Sequence, residues 1–480
     1  MLFNSLNFIV FFPIVVAVYF AIKPKFRWVL LLIASYYFYM CWNYMYIVLI
    51  IFSTVIDYFA AIGIAHYKSR KIKKALLFSS LGSNLGLLFF FKYYNFFSSN
   101  VNSIMDGLNL FHHLPTYSFL LPVGISFYTF QTLSYTIDVY MGKKEPERHF
   151  GIFALYVSFF PQLVAGPIER STRLLPQFHK VFDFNYERIK NGVALMVWGM
   201  FKKVVIADRL AEYVNEVYNN PHAYGGLHDL VATFFFTSQI YCDFSGYSDI
   251  AIGSALVLGY ELMTNFRRPY LSRSIREFWQ RWHISLSTWF RDYLYIPLGG
   301  NRVVKWRWYY NLFITFLISG LWHGANWTFV IWGALHGIYL VVAIVAGDKR
   351  EKLAGKIGLP KFPRLVNAGN LLWTFGLVFF AWIFFRSNTL GDAMLIIGNI
   401  FDFSTYSLDL QLFHFRADFY LSFILIGALM LVEIAQEKYN LLEKLKVTSR
   451  FAKWGIFLFL LFSIFVLGKW DETDFLYFQF

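Results

Sequence analysis

The stretch Asn311–Ala346, NLFITFLISGLWHGANWTFVIWGALHGIYLVVAIVA, carries no charged residue, yet His323 and His336 lie inside it. Read as one helix it would run about 54 Å, at about 1.5 Å per residue. A bilayer core is only about 30 Å thick. The stretch therefore predicts two helices, or one broken helix, with the break at Gly320–Asn326. His323 then sits at or inside the membrane, beside backbone that is not helical. Such backbone persists at that depth only where protein buries it or a wet cavity touches it. An ionisable residue there is a functional candidate; the bland alternative is a histidine that only bridges two helices by hydrogen bonds.

The rest of the chain is equally apolar. Of 480 residues, 58% are hydrophobic and 15% charged, which excludes a soluble protein of this size. Apolar runs fall at 6–22, 28–63, 75–91, 118–140, 150–165, 192–206, 229–260, 311–346, 367–385, 418–434 and 451–469. Three are long enough for two crossings or a re-entrant piece. The pattern predicts an all-α integral membrane protein with about 11–13 transmembrane helices, plus re-entrant and amphipathic ones. No linker or composition shift divides it, so residues 1–480 read as a single domain. The first apolar run has no basic flank or cleavage site before it and reads as a retained span. Cys41 and Cys242 lack metal spacing and read as packing residues. The formal charge of +14 gathers in short loops: Lys23–Arg27, Lys68–Lys74, Lys143–Arg148, Arg267–Arg281, Arg302–Arg307 and Lys349–Arg364. Positive-inside logic puts most of these in the cytosol, with the N-terminus outside. Anionic lipid accounts for such loops, so no nucleic-acid partner is expected.

Several polar residues interrupt the apolar runs. Asp57 reads as a helix-packing group. The histidines of HHL at 112–114 have no third ligand at metal spacing. Pro122, Gly124, Pro161, Gly166 and Pro167 are breakers near membrane depth, which suggests backbone lining a cavity with Asp138, Glu169 and Arg170 at its rim or in ordinary loop ion pairs. YCDFSGYSDIAIG packs Asp243, Ser245, Tyr247 and Asp249 into an apolar segment, a density that must face protein or water and is compatible with a re-entrant piece. Arg386 ends an apolar span and reads as a side chain snorkelling to headgroups.

The richest polar segment is TNFRRPYLSRSIREFWQRWHISLSTWFRDYLYIPLGGNR, 264–302. Ser274 followed by Glu277 fits a capping box. Ile275, Phe278, Trp279, Trp282, Leu286, Trp289, Phe290 and Tyr293 form one apolar stripe at helical spacing. Arg276, Gln280, His283, Ser287 and Arg291 form a polar stripe on another face. The spacing predicts one amphipathic interfacial helix ended by Pro297 and Gly299-Gly300. Half of the formal charge, a net +7, lies between Thr264 and Arg307. Arg267, Arg268, Arg273 and Arg276 are its densest group, suited to a phosphate-bearing acyl donor, with His283 beside them. The alternative use of these arginines is to hold anionic lipid headgroups.

FFPQLVAGPI (159–168), DFSGYSDIAIG (243–253), the 265–302 segment and LWHGANWTFVIWGALHG (321–337) resemble, in order, the membrane-bound O-acyltransferases. The likeness is to the bacterial branch that includes the alginate O-acetylation membrane protein. It implies that His323, in WHG, is catalytic and that His283, in RWHISLS, is the second functional histidine. It also implies a ring of helices with a thinned centre, where a central tunnel joins a cytosolic donor to an extracytoplasmic acceptor. No cofactor is expected to stay bound; acetyl-CoA or another acyl thioester, such as an acyl carrier protein, is the donor substrate. Trp322, Asn326 and backbone N–H groups near the break are candidate oxyanion donors. The implied partner is an extracytoplasmic acetyltransferase or acceptor protein, and the implied location is the bacterial cytoplasmic membrane. D-alanyl transfer to teichoic acid, by a related protein that shares RWHISLS and WHG, is the second reading. That relative is usually shorter at the C-terminus. A transporter with a histidine proton relay is the third, but the inverted repeat it would favour is not found.

Overall fold

The computed structural model describes residues 1–110, 113–118, 120–407, 416–439, 448–470 and 475–476; His112 of the 112–114 pair lies outside them. Helices follow one another throughout, with no strand among the described residues. They are α1 (Leu6–Ala21), α2 (Arg27–Met40), α3 (Ile47–His66), α4 (Arg70–Leu88), α5 (Tyr94–Gly107), α6 (Ile125–Tyr140) and α7 (Phe150–Ser158). Next come α8 (Phe160–Leu163), α9 (Ser171–Phe178), α10 (Tyr186–Met200), α11 (Asp208–Asn219), α12 (Gly226–Leu258), α13 (Ile275–Arg281) and α14 (Ile284–Phe290). The last are α15 (Lys305–His323), α16 (Trp327–Val345), α17 (Gly347–Lys356), α18 (Pro363–Arg386), α19 (Leu390–Phe401), α20 (Arg416–Lys438) and α21 (Arg450–Leu467).

Among the described residues, six helical segments are long and apolar enough to cross a membrane: Tyr44–His66, Arg70–Gly107, Trp327–Val345, Pro363–Arg386, Ala417–Lys438 and Arg450–Leu467. The last buries only Ser463 and Ile464 and leaves Phe459, Phe462 and Phe465 exposed, a surface that suits lipid and not water. The chain is an all-α, multi-pass membrane protein. The 28–63 run holds two helices, α2 and α3, as its length allowed. The 229–260 run does not hold a re-entrant piece: α12 is one continuous helix of 33 residues. Asp243 and Ser245 on it are paired with lysines, so the helix need not break there to reach water.

Helix packing groups the chain into two compact units, Met1–Met196 with Tyr247–Met263, and Val197–Gly246 with Thr264–Phe480. In the first, Asp57 on α3 is wholly buried. Its carboxylate accepts from Ser80, from Asn84 Nδ2 at 2.9 Å and from Thr136 Oγ1 at 3.0 Å, which ties α3 to α4 and α6. This is the packing role its sequence context suggested. The breakers bring backbone against backbone: Gly124, left-handed at the start of α6, lies so close to α8 that a Cβ would meet the Leu163 carbonyl at 2.7 Å. Glu169 is buried and accepts from the Met263 backbone N–H, while Asp138 pairs with Lys143 at 3.8 Å.

In the second unit, Lys203 bridges Asp208 at 2.8 Å and Asp243 at 2.7 Å, and Lys202 donates to Ser245 at 2.8 Å. These contacts account for the polar density of YCDFSG. Trp282, Trp332 and Trp382 are fully buried at the centre, and Trp332 stacks on Trp382 with centroids 5.9 Å apart. Arg386 does not snorkel. It is 8% exposed and donates from Nη2 to Asn215 at 2.8 Å, because α11 offers it amide oxygens within reach.

α15 and α16 fold back on each other as a tight hairpin. Gly320 and Gly333 face each other at the crossing, where a Cβ on Gly333 would come 2.4 Å from the Phe316 carbonyl and 3.0 Å from Gly320 Cα. Small residues allow this approach, and closely packed backbones hold helices together where no hydrophobic force acts between them. Gly333→Ala should therefore push the hairpin apart and lower stability by about 1–3 kcal/mol. Thermal unfolding in detergent checks this; an unchanged midpoint would show that the crossing is not tight.

Candidate active site

The break expected at Gly320–Asn326 is present. α15 ends on His323, Gly324 is extended, and Asn326 caps α16 by accepting from the Thr328 N–H at 3.1 Å. His323 is buried, 3% exposed. Aromatic rings surround it, each nearly edge-to-face: Trp322 at 5.0 Å, Trp332 at 5.0 Å and Phe385 at 5.3 Å.

The 274–296 segment is not one amphipathic helix. Ser274 does cap it, accepting from the Glu277 N–H at 3.1 Å, and Glu277 reaches back to the Arg273 N–H at 2.7 Å. But α13 stops at Arg281, and His283 takes a left-handed conformation with φ of +40° before α14 begins. Asn265 secures the break. Its carbonyl accepts from the Ile284 N–H at 2.9 Å and its side chain from Ser285 Oγ at 2.6 Å. A non-glycine residue in that region costs on the order of 1–3 kcal/mol, a strain that concentrates at functional sites. The break turns His283 away from the arginines. His283 is wholly buried, whereas Arg276, Gln280 and Arg291 are exposed. Its ring meets Phe244 edge-on at 4.6 Å and Trp322 at 6.2 Å.

Trp322 therefore touches both functional-candidate histidines. His336, the third, is also buried, and its Nδ1 accepts from Trp279 Nε1 at 3.3 Å. An indole only donates, so the His336 proton is on Nε2. Trp332 lies 4.8 Å from His336 and 5.0 Å from His323. Asn326 donates from Nδ2 to the Asn388 carbonyl at 2.9 Å in addition to its capping bond.

The four arginines separate. Arg267, Arg273 and Arg276 are exposed. Arg268 is left-handed at φ of +49° and pairs with Glu437 at 2.6 Å; Arg281 pairs with the same carboxylate at 2.9 Å. Sequence reasoning did not single out Trp332, Phe385 or Phe244 around the histidines, and it placed Trp279 only in an apolar stripe. Phe244, Trp279 and Trp332 do lie in the segments that resemble the family, whereas Phe385 had only its aromatic character, which a membrane protein so rich in aromatics shows everywhere.

Burial pushes the His283 imidazole down to about 3 from its usual value near 6.5. Below pH 6.5 the unfolded chain takes up a proton that folded His283 refuses, so stability is full above that pH and falls as pH drops toward 3. Between pH 7 and 5 the loss from this one group should reach about 2 kcal/mol. Thermal unfolding of the protein and of His283→Gln at both pH values tests this. A stability gap that stays constant with pH would contradict a buried, neutral His283.

The model of the MBOAT, membrane-bound O-acyltransferase, family matches residues 149–385, which include all three histidines. The probable alginate O-acetylase of Pseudomonas putida is 40% identical over 413 residues, 85% of this chain and 82% of that one. The peptidoglycan O-acetyltransferase of Helicobacter pylori is 38% identical over 431 residues, covering 83% and 79%. The teichoic acid D-alanyltransferase of Streptococcus thermophilus is 28% identical over 291 residues, covering 56% and 69%.

Proposed function

The chain belongs to the membrane-bound O-acyltransferase family and is an O-acyltransferase of the bacterial inner membrane; from that premise we propose that it carries an acetyl group from a cytosolic thioester across the membrane for O-acetylation of an envelope or secreted polysaccharide. The observation that supports the reading best is the meeting of His283 and His323 on one tryptophan, Trp322. Acetyl is favoured over D-alanyl because the O-acetylating relatives are more similar to this chain and cover more of it than the D-alanyl relative. All 480 residues act as one transmembrane domain, with helices ringed about a tunnel from donor to acceptor.

His323 is the base. It takes the proton of the attacking hydroxyl as that oxygen bonds to the thioester carbon. The carbon–sulfur bond then breaks, and the proton passes to the leaving sulfur. His323 sits at the carbonyl end of α15, where the positive charge it gains is favoured. Trp322 Nε1, Asn326 and the N–H groups opening α16 are the candidate donors to the oxyanion. His283, neutral and buried, guides the thioester end. A separate extracytoplasmic transferase supplies the attacking hydroxyl, receives the acetyl group on it as an ester, and takes the group onward to the polymer.

His323→Ala should abolish polymer acetylation in cells while the protein still inserts. His336→Ala should be much milder, because that imidazole accepts from an indole and lies on the far side of Trp332. Mass spectrometry of surface glycans reads both, and wild-type acetylation in the His323 variant would remove the base from the reading. Purified protein that acetylated polymer rapidly on its own from acetyl-CoA would remove the partner.

The donor, acetyl-CoA or an acyl carrier protein, presents phosphate, and the exposed Arg273 and Arg276 are free to meet it with Arg267. Arg268 would first have to leave Glu437. Charge-removing substitutions at Arg273 and Arg276 should raise the donor KM in detergent free of anionic lipid. An unchanged KM, with only membrane association lost, would assign these arginines to lipid headgroups.

A further inference from the structure

Arg27 and Arg188 both hold the loop that carries Phe182. Arg27 Nη1 donates to the Phe182 carbonyl at 2.7 Å, and Arg188 Nη2 donates to the Asp183 carbonyl at 2.7 Å. Arg188 also lies over the Phe182 ring, 5.9 Å from its centroid. Arg27 lies over the Tyr19 ring at 4.8 Å and the Phe20 ring at 5.7 Å, and the Tyr19 hydroxyl feels the charge of both guanidiniums. Arg27 is only 9% exposed, and Arg188 is partly buried. Nε of each is covered and donates to nothing among the described residues. Every acidic residue of this unit is among the described residues, and none of them pairs with either arginine. Two cations gathered on one loop against neutral partners are stable together where an anion joins them.

The surroundings say what kind of anion. Arg27 opens α2, and Tyr186, two residues before Arg188, opens α10. Phe26, Phe184 and Tyr186 are more than half exposed at these helix starts, and Lys23 and Lys25 are exposed beside them. Exposed aromatic rings among lysines mark the membrane–water boundary, where headgroup phosphates lie. Phe20 meets Phe184 edge-on at 5.6 Å, and Ile14 and Val18, one turn apart on the same helix as Phe20, are exposed. An apolar strip on α1 therefore leads away from the arginines, and an acyl chain can cover it.

We propose that Arg27 and Arg188 form a binding site for the phosphate of an anionic glycerophospholipid, with its acyl chain along α1. A guanidinium fork makes paired, charge-assisted hydrogen bonds to phosphate oxygens, and two forks hold one phosphate from two directions. The lipid is anionic because a choline or ethanolamine headgroup would bring its own cation among Lys23 and Lys25. Once bound, it ties α1 and α2 to the loop before α10, in addition to the two carbonyl bonds. No step of the acyl transfer proposed above depends on this site.

The test is lipid binding to the purified full chain in a neutral detergent, read by native mass spectrometry and by the unfolding temperature. Dioctanoyl phosphatidylglycerol, dioctanoyl phosphatidylcholine and inorganic phosphate are the probes. Phosphatidylglycerol should bind at least about tenfold more tightly than phosphatidylcholine, a gap of about 1.4 kcal/mol, and should raise the unfolding temperature. Arg188→Gln, at the less buried of the two positions, should fold and lose this preference. Arg27→Lys keeps the charge but loses the fork, and should weaken the preference too. Lys74→Gln removes one exposed charge from another loop and should keep it. Equal binding of the two lipids, or the full preference in a folded Arg188→Gln, overturns the site. An equal loss in Lys74→Gln reduces the effect to overall surface charge and overturns the site as well. So does an Arg188→Gln deficit in unfolding temperature that is the same with and without phosphatidylglycerol, since arginines that only brace the loop would give that result. Inorganic phosphate that binds as tightly as phosphatidylglycerol, with the same loss in Arg188→Gln, assigns the arginines to a soluble phosphate and overturns the lipid.

Discussion

The close crossing of α15 and α16 is the contact on which the candidate site depends. Gly320 and Gly333 bring the two backbones together, and only then does the short turn Gly324–Asn326 suffice to join them. That turn sets His323 at the end of one helix and Trp332 in the second turn of the next, so the ring that flanks the histidine comes from its own hairpin. Asn326 supplies the cap that α16 would otherwise lack, an interaction typically worth about 1 kcal/mol. The same side chain reaches Asn388, which fastens the hairpin to the end of α18.

Charge is handled differently in different parts of the molecule. Lys203 sits between two aspartates, and Asp57 between hydroxyl and amide donors, so each is satisfied internally. Unpaired, such groups would cost several kcal/mol in an apolar interior. The histidines meet rings. Edge-to-face aromatic contacts orient an imidazole. Asp243 also accepts from the Leu476 N–H at 2.8 Å, and Phe475 packs on Phe244, the ring against His283. The second histidine is thus supported from three separated parts of the chain.

Much of this was legible in the residues. An uncharged run too long for one crossing predicted the α15–α16 break, and Ser274 with Glu277 located a helix start. Both are local signals. The break at His283 was not legible, because the apolar spacing from Ile275 to Tyr293 runs through it and a left-handed residue leaves no mark on a hydrophobic pattern. Asn265, which secures that break, is 18 residues away. YCDFSG suggested a broken segment because its partners, Lys202 and Lys203, lie on another helix. Arg386 was misread for the same reason: a terminal arginine snorkels unless something elsewhere receives it, and Asn215 and Asn219 do.

The rings around His323 also bear on fidelity. An activated acyl group can be lost to water as easily as passed to a sugar, and a hydroxyl in a polymer is no better a nucleophile than the solvent. Edge-on packing by Trp322, Trp332 and Phe385 leaves His323 little contact with solvent. A histidine screened in this way, acting as the base proposed above, would seldom activate a stray water molecule. On that proposal the hydrophobic wall is a selectivity device, sparing the donor from futile hydrolysis until an acceptor displaces the last of the solvent.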